Sequence, residues 1–448
     1  MRSQRMIRAT KSAVLVPFLF LWSAIWTLGL PVLLLYLRRR ARKDPEYFAH
    51  LSERFGRYRD PMEGCVWIHA VSLGELRSAV PLIRGLLGQG ERIVVTHFTP
   101  AGRREAEQVF AQEIQAGQLR PVWVPIETAW AWRGFFQAFQ PKFGLVMEIE
   151  IWPRMVFAAQ DAGVPLFMCN AQYPVKSLTR DSGGLRLRQK VMQGFAGALV
   201  KSQMQADRFA SVGVRNIAIT GELRFDQPVP QALVKAGQAA RRWIGAHDRR
   251  VICIASAIEG EDAVYLHAIA ALRREAMARQ QVMPLFVYVP RRPERFDLVA
   301  SALQDAGLSV LRRSAFAGEF MSDRWGPVPD CPDVFFGDSL GEMYAYLSMA
   351  DEVIVGGGFN PKGAHNISEA LVLGRPVVTG PHVHTIEYPF AEAEAAGVAR
   401  SVRDAEELTA VLLSDWRPDK GRIEGFVAAH SNATDKTLAA LPKLLRPS

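Results

Sequence analysis

Cysteine is scarce in this chain of 448 residues: there are four, none in a Cys-x-x-Cys pair. That removes the usual ligand spacing of a structural zinc site and of a dithiol redox centre. Cys65, Cys169 and Cys253 stand inside apolar, strand-like runs and Cys331 in the loop-like PDCPD, so reduced and mostly buried thiols are expected. His382 and His384 form a metal-like pair for which spacing supplies no third ligand. Acidic residues are absent from the first 43 positions, which carry nine basic ones: Arg2, Arg5, Arg8, Lys11, Arg38, Arg39, Arg40, Arg42 and Lys43. Without those nine, 45 of the 54 Lys and Arg remain, equal to the 45 Asp and Glu, so the net charge of +9 belongs to one end and residues 44–448 are neutral. Phosphate-backbone binding needs a concentrated basic face, and nucleic acid is disfavoured as a partner. Low-complexity runs are missing too, and 49% hydrophobic residues give a folded protein of two or three domains.

Charge is also missing between Ser12 and Leu37, a run of 26 uncharged residues. This exceeds the roughly 20 that cross a bilayer as a helix. A cleaved secretory signal has a shorter apolar core and a small-residue cleavage site, whereas here a basic cluster follows directly, so an uncleaved membrane segment is expected. Trp22, Trp26 and Tyr36 suit a membrane interface, and Pro17 and Pro31 are the places where the helix would kink. Five basic residues within 38–43 against four before the run orient the rest of the chain to the cytoplasm.

From there on, short β-rich runs alternate with helical stretches. Strands are expected at 65–71, 92–98, 122–126, 143–149, 165–171, 198–202 and 217–220. A stretch at 222–248 containing Pro228 and Pro230 interrupts this rhythm. It restarts at 251–256, 285–290, 309–314, 334–338, 352–358 and 376–381, and a last helical stretch covers about 420–443. The expected fold is α/β: two doubly wound, Rossmann-like parallel-sheet domains with an interdomain cleft, behind an N-terminal membrane-anchoring helix. The boundaries read as 1–43 for the anchor, 44–228 for the N-terminal domain and 229–448 for the C-terminal domain, whose final helix crosses back.

Chemistry-bearing residues collect after strands. WIHAVSLGE (67–75) ends a buried run in Ser72, Gly74 and Glu75. Glu75 is either an acid in a helical first turn, which the dipole favours, or a group that does chemistry. In VIVGGGFNPKGAHNISEALVLGRPVVTGP (353–381) a strand ends in Gly356, Gly357 and Gly358, and a helix opens near Asn366 with Glu369 in its first turn. Such glycines let a ligand approach the main chain, and a helix start offers N–H groups to a phosphate. The segment matches neither a Walker A loop nor Gly-x-Gly-x-x-Gly, which leaves ATP hydrolysis and dinucleotide binding unsupported. An ordinary loop with Asn366 as cap reads equally from these residues. Arg291 in VPRRPERF (289–296) suits an anionic phosphate at a strand end, or stands as a surface arginine, and Gly341 in GDSLGEMYAY (337–346) permits close contact with a base.

These segments, with THFTPAGRREA, MEIEIWP and TGELRFD, follow one another in the order found in the 3-deoxy-D-manno-oct-2-ulosonic acid (Kdo) transferases of lipopolysaccharide assembly, which the chain resembles over nearly its whole length. The resemblance implies a membrane-anchored, inverting glycosyltransferase of the GT-B fold in the cell inner membrane, its catalytic domains on the cytoplasmic side. Its donor would be CMP-Kdo, its acceptor the lipid A precursor (lipid IVA), with no cofactor and no metal. It places the general base on Glu75, transition-state support on Glu148 and charge stabilisation on Arg224. The CMP contacts fall on Pro290, Arg291, Leu340, Gly341, Glu342, Asn366, Ile367, Ser368 and Glu369. No Asp-x-Asp pair of the metal-dependent transferases occurs. Departures from the family pattern are Ile149 for threonine, Gln172 for arginine, Arg224 for lysine, Ile258 and Arg292 for histidine, and Ala364 for glycine. Two alternatives stand beside this reading: another GT-B transferase or an epimerase using a UDP-sugar, and, motivated by these departures, a non-catalytic, membrane-anchored nucleotide-binding homologue.

Overall fold

The computed structural model describes residues 14–322, 325–327, 331–414 and 416–446. Arg2, Arg5, Arg8 and Lys11, the basic residues ahead of the apolar run, lie outside the described residues. The chain divides into two compact units, Met1–Gln227 with Ser431–Ser448, and Pro228–His430.

The apolar run is not one helix. It forms α1 (Leu15–Leu28) and α2 (Leu30–Ala41), bent by 52° at Gly29, and neither alone is long and apolar enough to cross a membrane. Pro31 in the first turn of α2 gives no N–H to the preceding turn and crowds its carbonyls, while Pro17 sits in the first turn of α1, where a missing donor costs nothing. Leu15 and Leu19 are buried, whereas Phe20, Leu28, Val32 and Leu35 stand out from the fold.

In the first unit, β1 (Val66–His69), β2 (Ile93–His97), β3 (Leu119–Trp123), β4 (Phe143–Met147), β5 (Leu166–Ala171), β6 (Gly197–Val200) and β7 (Ile217–Ile219) form one parallel sheet, ordered β3-β2-β1-β4-β5-β6-β7. Alternation along each strand feeds two cores. Trp67 points into one with Trp132, Phe135 and Phe136, and Val66 and Ile68 into the other with Leu82 and Ile83. Those partners come from α3 (Leu73–Gly88) and α4 (Ala129–Phe139); α5 (Pro153–Asp161) follows β4. β3 begins three residues before the expected position. It includes Pro121, which a ladder tolerates only at an edge, and β3 is the edge strand.

In the second unit, β8 (Val251–Ala257), β9 (Leu285–Pro290), β10 (Val310–Arg312), β11 (Val334–Phe336), β12 (Glu352–Val355), β13 (Val377–Thr379) and β14 (Ala399–Ser401) are again all parallel, ordered β10-β11-β9-β8-β12-β13-β14. β14 is unanticipated: three residues with an outward Arg400 give no apolar run to read. Its helices include α6 (Gln231–Trp243), α7 (Met343–Met349), α8 (Ser368–Val372) and α9 (Lys420–His430). The helical stretch expected over 420–443 is two helices, because Asn432 adopts a left-handed φ of 63° between α9 and α10 (Ala433–Leu444). α10 belongs to the first unit, where Thr434 N donates to Asp226 at 2.5 Å and Leu438 faces Gly85 on α3.

Strand order reverses between β1 and β4 in the first sheet and between β8 and β12 in the second, the points beyond which open α/β sheets hold their ligands. Packing in the second unit is tight where α6 meets α7: a Cβ on Gly237 would lie 2.1 Å from both the Ala345 carbonyl and the Ser348 hydroxyl. Gly237→Ala is therefore expected to lower unfolding stability by about 1–3 kcal/mol, read by calorimetry; an unchanged transition would mean that α6 and α7 part without cost.

Candidate active site

Glu75 stands in the first turn of α3, directly after the central strand β1. Ser72 caps that helix, its hydroxyl accepting from Glu75 N at 3.3 Å, and the Glu75 carboxylate closes the exchange by accepting from Ser72 Oγ at 3.1 Å and Val71 N at 2.7 Å. This is a capping-box arrangement, so the helix-cap reading of WIHAVSLGE is structurally correct. It does not exhaust the residue. Burial, then the neighbouring Glu150 carboxylate, push the Glu75 carboxyl up to about 7, with Glu148 adding a smaller push and the two hydrogen bonds opposing. A carboxyl that titrates near neutrality and has fixed orientation is suited to accept a proton.

Glu148 follows β4 across the strand-order reversal, with a left-handed φ of 58°. Its carboxylate accepts from Asn170 Nδ2 at 3.2 Å, Lys201 Nζ at 3.2 Å and Arg224 Nη2 at 3.4 Å. Arg224 also donates to Ser78 Oγ at 3.2 Å, one turn along α3 from Glu75, so the three candidate catalytic residues come together. Sequence reading missed the group that orders them. Lys201, 2% exposed, pairs with Glu222 at 2.7 Å as well as with Glu148, and Asn170 bonds Glu222 at 2.9 Å and receives Leu223 N. Burial opposes the Glu222 charge, but Lys201 and Arg224 outweigh it and hold the carboxyl below its ordinary value. One buried and one half-buried acid are matched by two cations, so the charges of the cluster balance. A lysine after an apolar strand gives no signal by itself.

In the second unit the glycine loop is already occupied. Glu261, fully buried, accepts from Gly357 N at 2.8 Å, Phe359 N at 3.0 Å and Ile258 N at 3.1 Å, tying the end of β8 to the end of β12. The N–H groups of Gly357 and Phe359 thus point at a carboxylate of the chain itself. Gly357 is needed for a different reason: its φ is 90°, and a Cβ there would lie 2.4 Å from the Gly363 carbonyl. α8 has only five residues, and Asn366 Oδ1 accepts from Ser368 N at 3.0 Å, which leaves little helix dipole to offer.

Of the donor-contact candidates, Pro290 ends β9 inside the core, and Arg291 follows it with its N–H on the Ala257 carbonyl at 2.9 Å. Partial burial lowers the Arg291 guanidinium from its ordinary value, and the nearby Glu369 carboxylate opposes the shift. Tyr344 faces the same carboxylate, and burial with that charge pushes its phenol up. His365, unanticipated, joins them: burial and then the Arg291 charge bring it down to about 4, so its ring is neutral, with a buried Nε2 that has no partner. The Ser368 hydroxyl is likewise buried and unpartnered, and Ile367 is fully buried. Leu340 is exposed and Gly341 has φ 82°, while Glu342 is held bidentately by Arg313 at 2.9 and 3.0 Å. Among the described residues no group of three His, Cys, Asp or Glu could hold a metal ion, His382 and His384 included.

Residues 49–227 match the family described as 3-Deoxy-D-manno-octulosonic-acid transferase (kdotransferase). The chain is 38% identical to a 3-deoxy-D-manno-octulosonic acid transferase of Bordetella pertussis over 93% of its length and 98% of the relative's, and 27% identical to one of Haemophilus influenzae over 90% and 92%. Its fold is shared with UDP-GlcNAc 2-epimerase of Neisseria meningitidis (TM-score 0.54, 14% identity, 85% of this chain and 100% of that one) and with UGT73P12 of Glycyrrhiza uralensis (TM-score 0.56, 11% identity, 86% and 96%). Identity of this order along nearly the full length of both chains, on a GT-B-like pair of parallel sheets, means that the protein belongs to the 3-deoxy-D-manno-octulosonic acid transferase family and is a glycosyltransferase.

Proposed function

We propose that the chain transfers Kdo from CMP-Kdo to a sugar hydroxyl of the lipid A precursor, lipid IVA, with inversion and with Glu75 as general base. The observation that carries this reading is the Glu75 carboxyl: hydrogen-bonded in place at the end of β1 and brought to about 7 by burial and by Glu150. The acceptor hydroxyl gives its proton to Glu75, its oxygen attacks C2 of Kdo, and the bond from C2 to the CMP phosphate breaks. A base contributes about 10²–10⁴-fold, so orientation and charge carry the rest. Arg224, held against Glu148 and Ser78, supplies positive charge to that chemistry. CMP leaves with a single phosphate, for which Arg291, beside the neutral His365, supplies charge without a metal. The exposed apolar faces of α1 and α2 lie in the inner membrane, the two units remain on its cytoplasmic side, and the acceptor's acyl chains stay in the bilayer.

Glu75→Gln is expected to lower transfer at least about 100-fold while calorimetry still records CMP binding; transfer at the wild-type rate would remove Glu75 from the mechanism. Because only the carboxylate accepts a proton, the wild-type rate should rise with pH through about 7 and level off above it. A rate flat across that range would argue against the same assignment. Arg291→Ala should weaken CMP binding about 10–100-fold, the worth of a charge-assisted hydrogen bond. Tighter binding of UDP than of CMP would assign the donor to another nucleotide class.

A further inference from the structure

Helix α5 opens without a capping side chain of its own. The cap comes from Glu127, a residue 2% exposed on the segment before α4, whose carboxylate accepts from Arg154 N at 2.9 Å and Met155 N at 3.1 Å. Two indoles complete its shell: Trp132 Nε1 at 2.9 Å from α4 and Trp22 Nε1 at 2.9 Å from α1. The Arg154 side chain returns to the same helix, donating to the Ser23 hydroxyl and, at 2.7 Å, to the Leu19 carbonyl. A buried carboxylate is stable when every lone pair meets a donor, and one of the four donors here belongs to the segment read as the membrane anchor.

What α5 holds makes this consequential. The five residues before it, 148–152, contain Glu148, Glu150 and Trp152. Trp152 Nε1 donates to Glu150 at 2.7 Å, and its ring sets edge-on against His69 at 5.4 Å and Phe98 at 6.1 Å, at the ends of β1 and β2. Glu150 is in turn the strongest charged neighbour of Glu75. A tether that only retains the protein at the bilayer needs no hydrogen bond from α1 into the fold. We propose that α1 is a structural part of the acceptor site, and that Glu127 is the positioning residue through which it sets the 148–152 segment. The proposal rests on Glu75 being the base.

The test uses the full-length protein in detergent micelles with solubilised acceptor, so that recruitment to a membrane contributes nothing. Trp22→Phe keeps an aromatic side chain and removes one donor; Glu127→Gln removes the charge. With Glu127→Gln, kcat should fall about tenfold, and with Trp22→Phe several-fold, while KM for the donor and CMP affinity stay at wild-type values. The acid limb of the pH profile should move to lower pH in both, because a loosened segment admits water and takes Glu150 away from Glu75. Wild-type kcat and an unmoved acid limb in both variants would overturn the proposal and return α1 to the role of a tether. Glu75→Gln measured alongside separates the two levels: if it still transfers, the base assignment fails; if it is inactive while the α1-side variants are normal, only the coupling fails.

Discussion

A parallel sheet covered on both faces delivers every loop at its carboxyl edge into a place where water is scarce and backbone N–H groups need partners. This chain meets that requirement with buried glutamates. Glu127 caps α5, Glu261 holds Gly357 and Phe359, Glu75 takes Val71 N, and Glu222 takes Arg224 N at 3.4 Å beside its lysine. Glu127 and Glu261 join segments far apart in sequence and fasten those nearest the points where strand order reverses.

The same device sorts the acids by chemistry. Glu148 and Glu222 share Lys201 and Arg224, so their charges are neutralised where they stand. Glu75, a short distance away, has only an N–H and a hydroxyl for partners and faces other carboxylates. Neighbouring acids in unlike surroundings are how one fold keeps one group charged and another ready to exchange a proton near neutral pH. In the second unit Glu261 occupies part of the glycine loop, while Arg291 and Tyr344 stand near Glu369 and His365 near Arg291.

The departures from the family pattern take on different weights in this setting. Arg224 keeps contact with both Glu148 and Ser78, a reach for which its fork is suited. Ile258 is buried, but its N–H still serves Glu261, so the side chain there is free to vary while the backbone is not. Arg292 is exposed, 3.8 Å from Glu259. Nothing in the structure explains Gln172.

Residue order alone determined the two rounds of parallel strands, the neutral body behind a basic, apolar end, and the strand-end positions of Glu75, Glu148 and Arg291, because period, composition and turn residues are local properties. Its misses are also physical. Pro121 hid the start of β3, since only sheet order reveals an edge; Arg400 hid β14; and Asn432 divided the last helix by a backbone angle that periodicity does not register. Tertiary structure alone decided that the Glu75 carboxyl of the helix cap is raised by burial and by Glu150, that Lys201 balances Glu148 and Glu222, that Glu261 fills the glycine loop, and that Trp22 reaches Glu127. These depend on which charges and donors meet in the interior, across as many as 105 residues, and the energy of such a meeting is set by burial and distance rather than by the identity of neighbours along the chain.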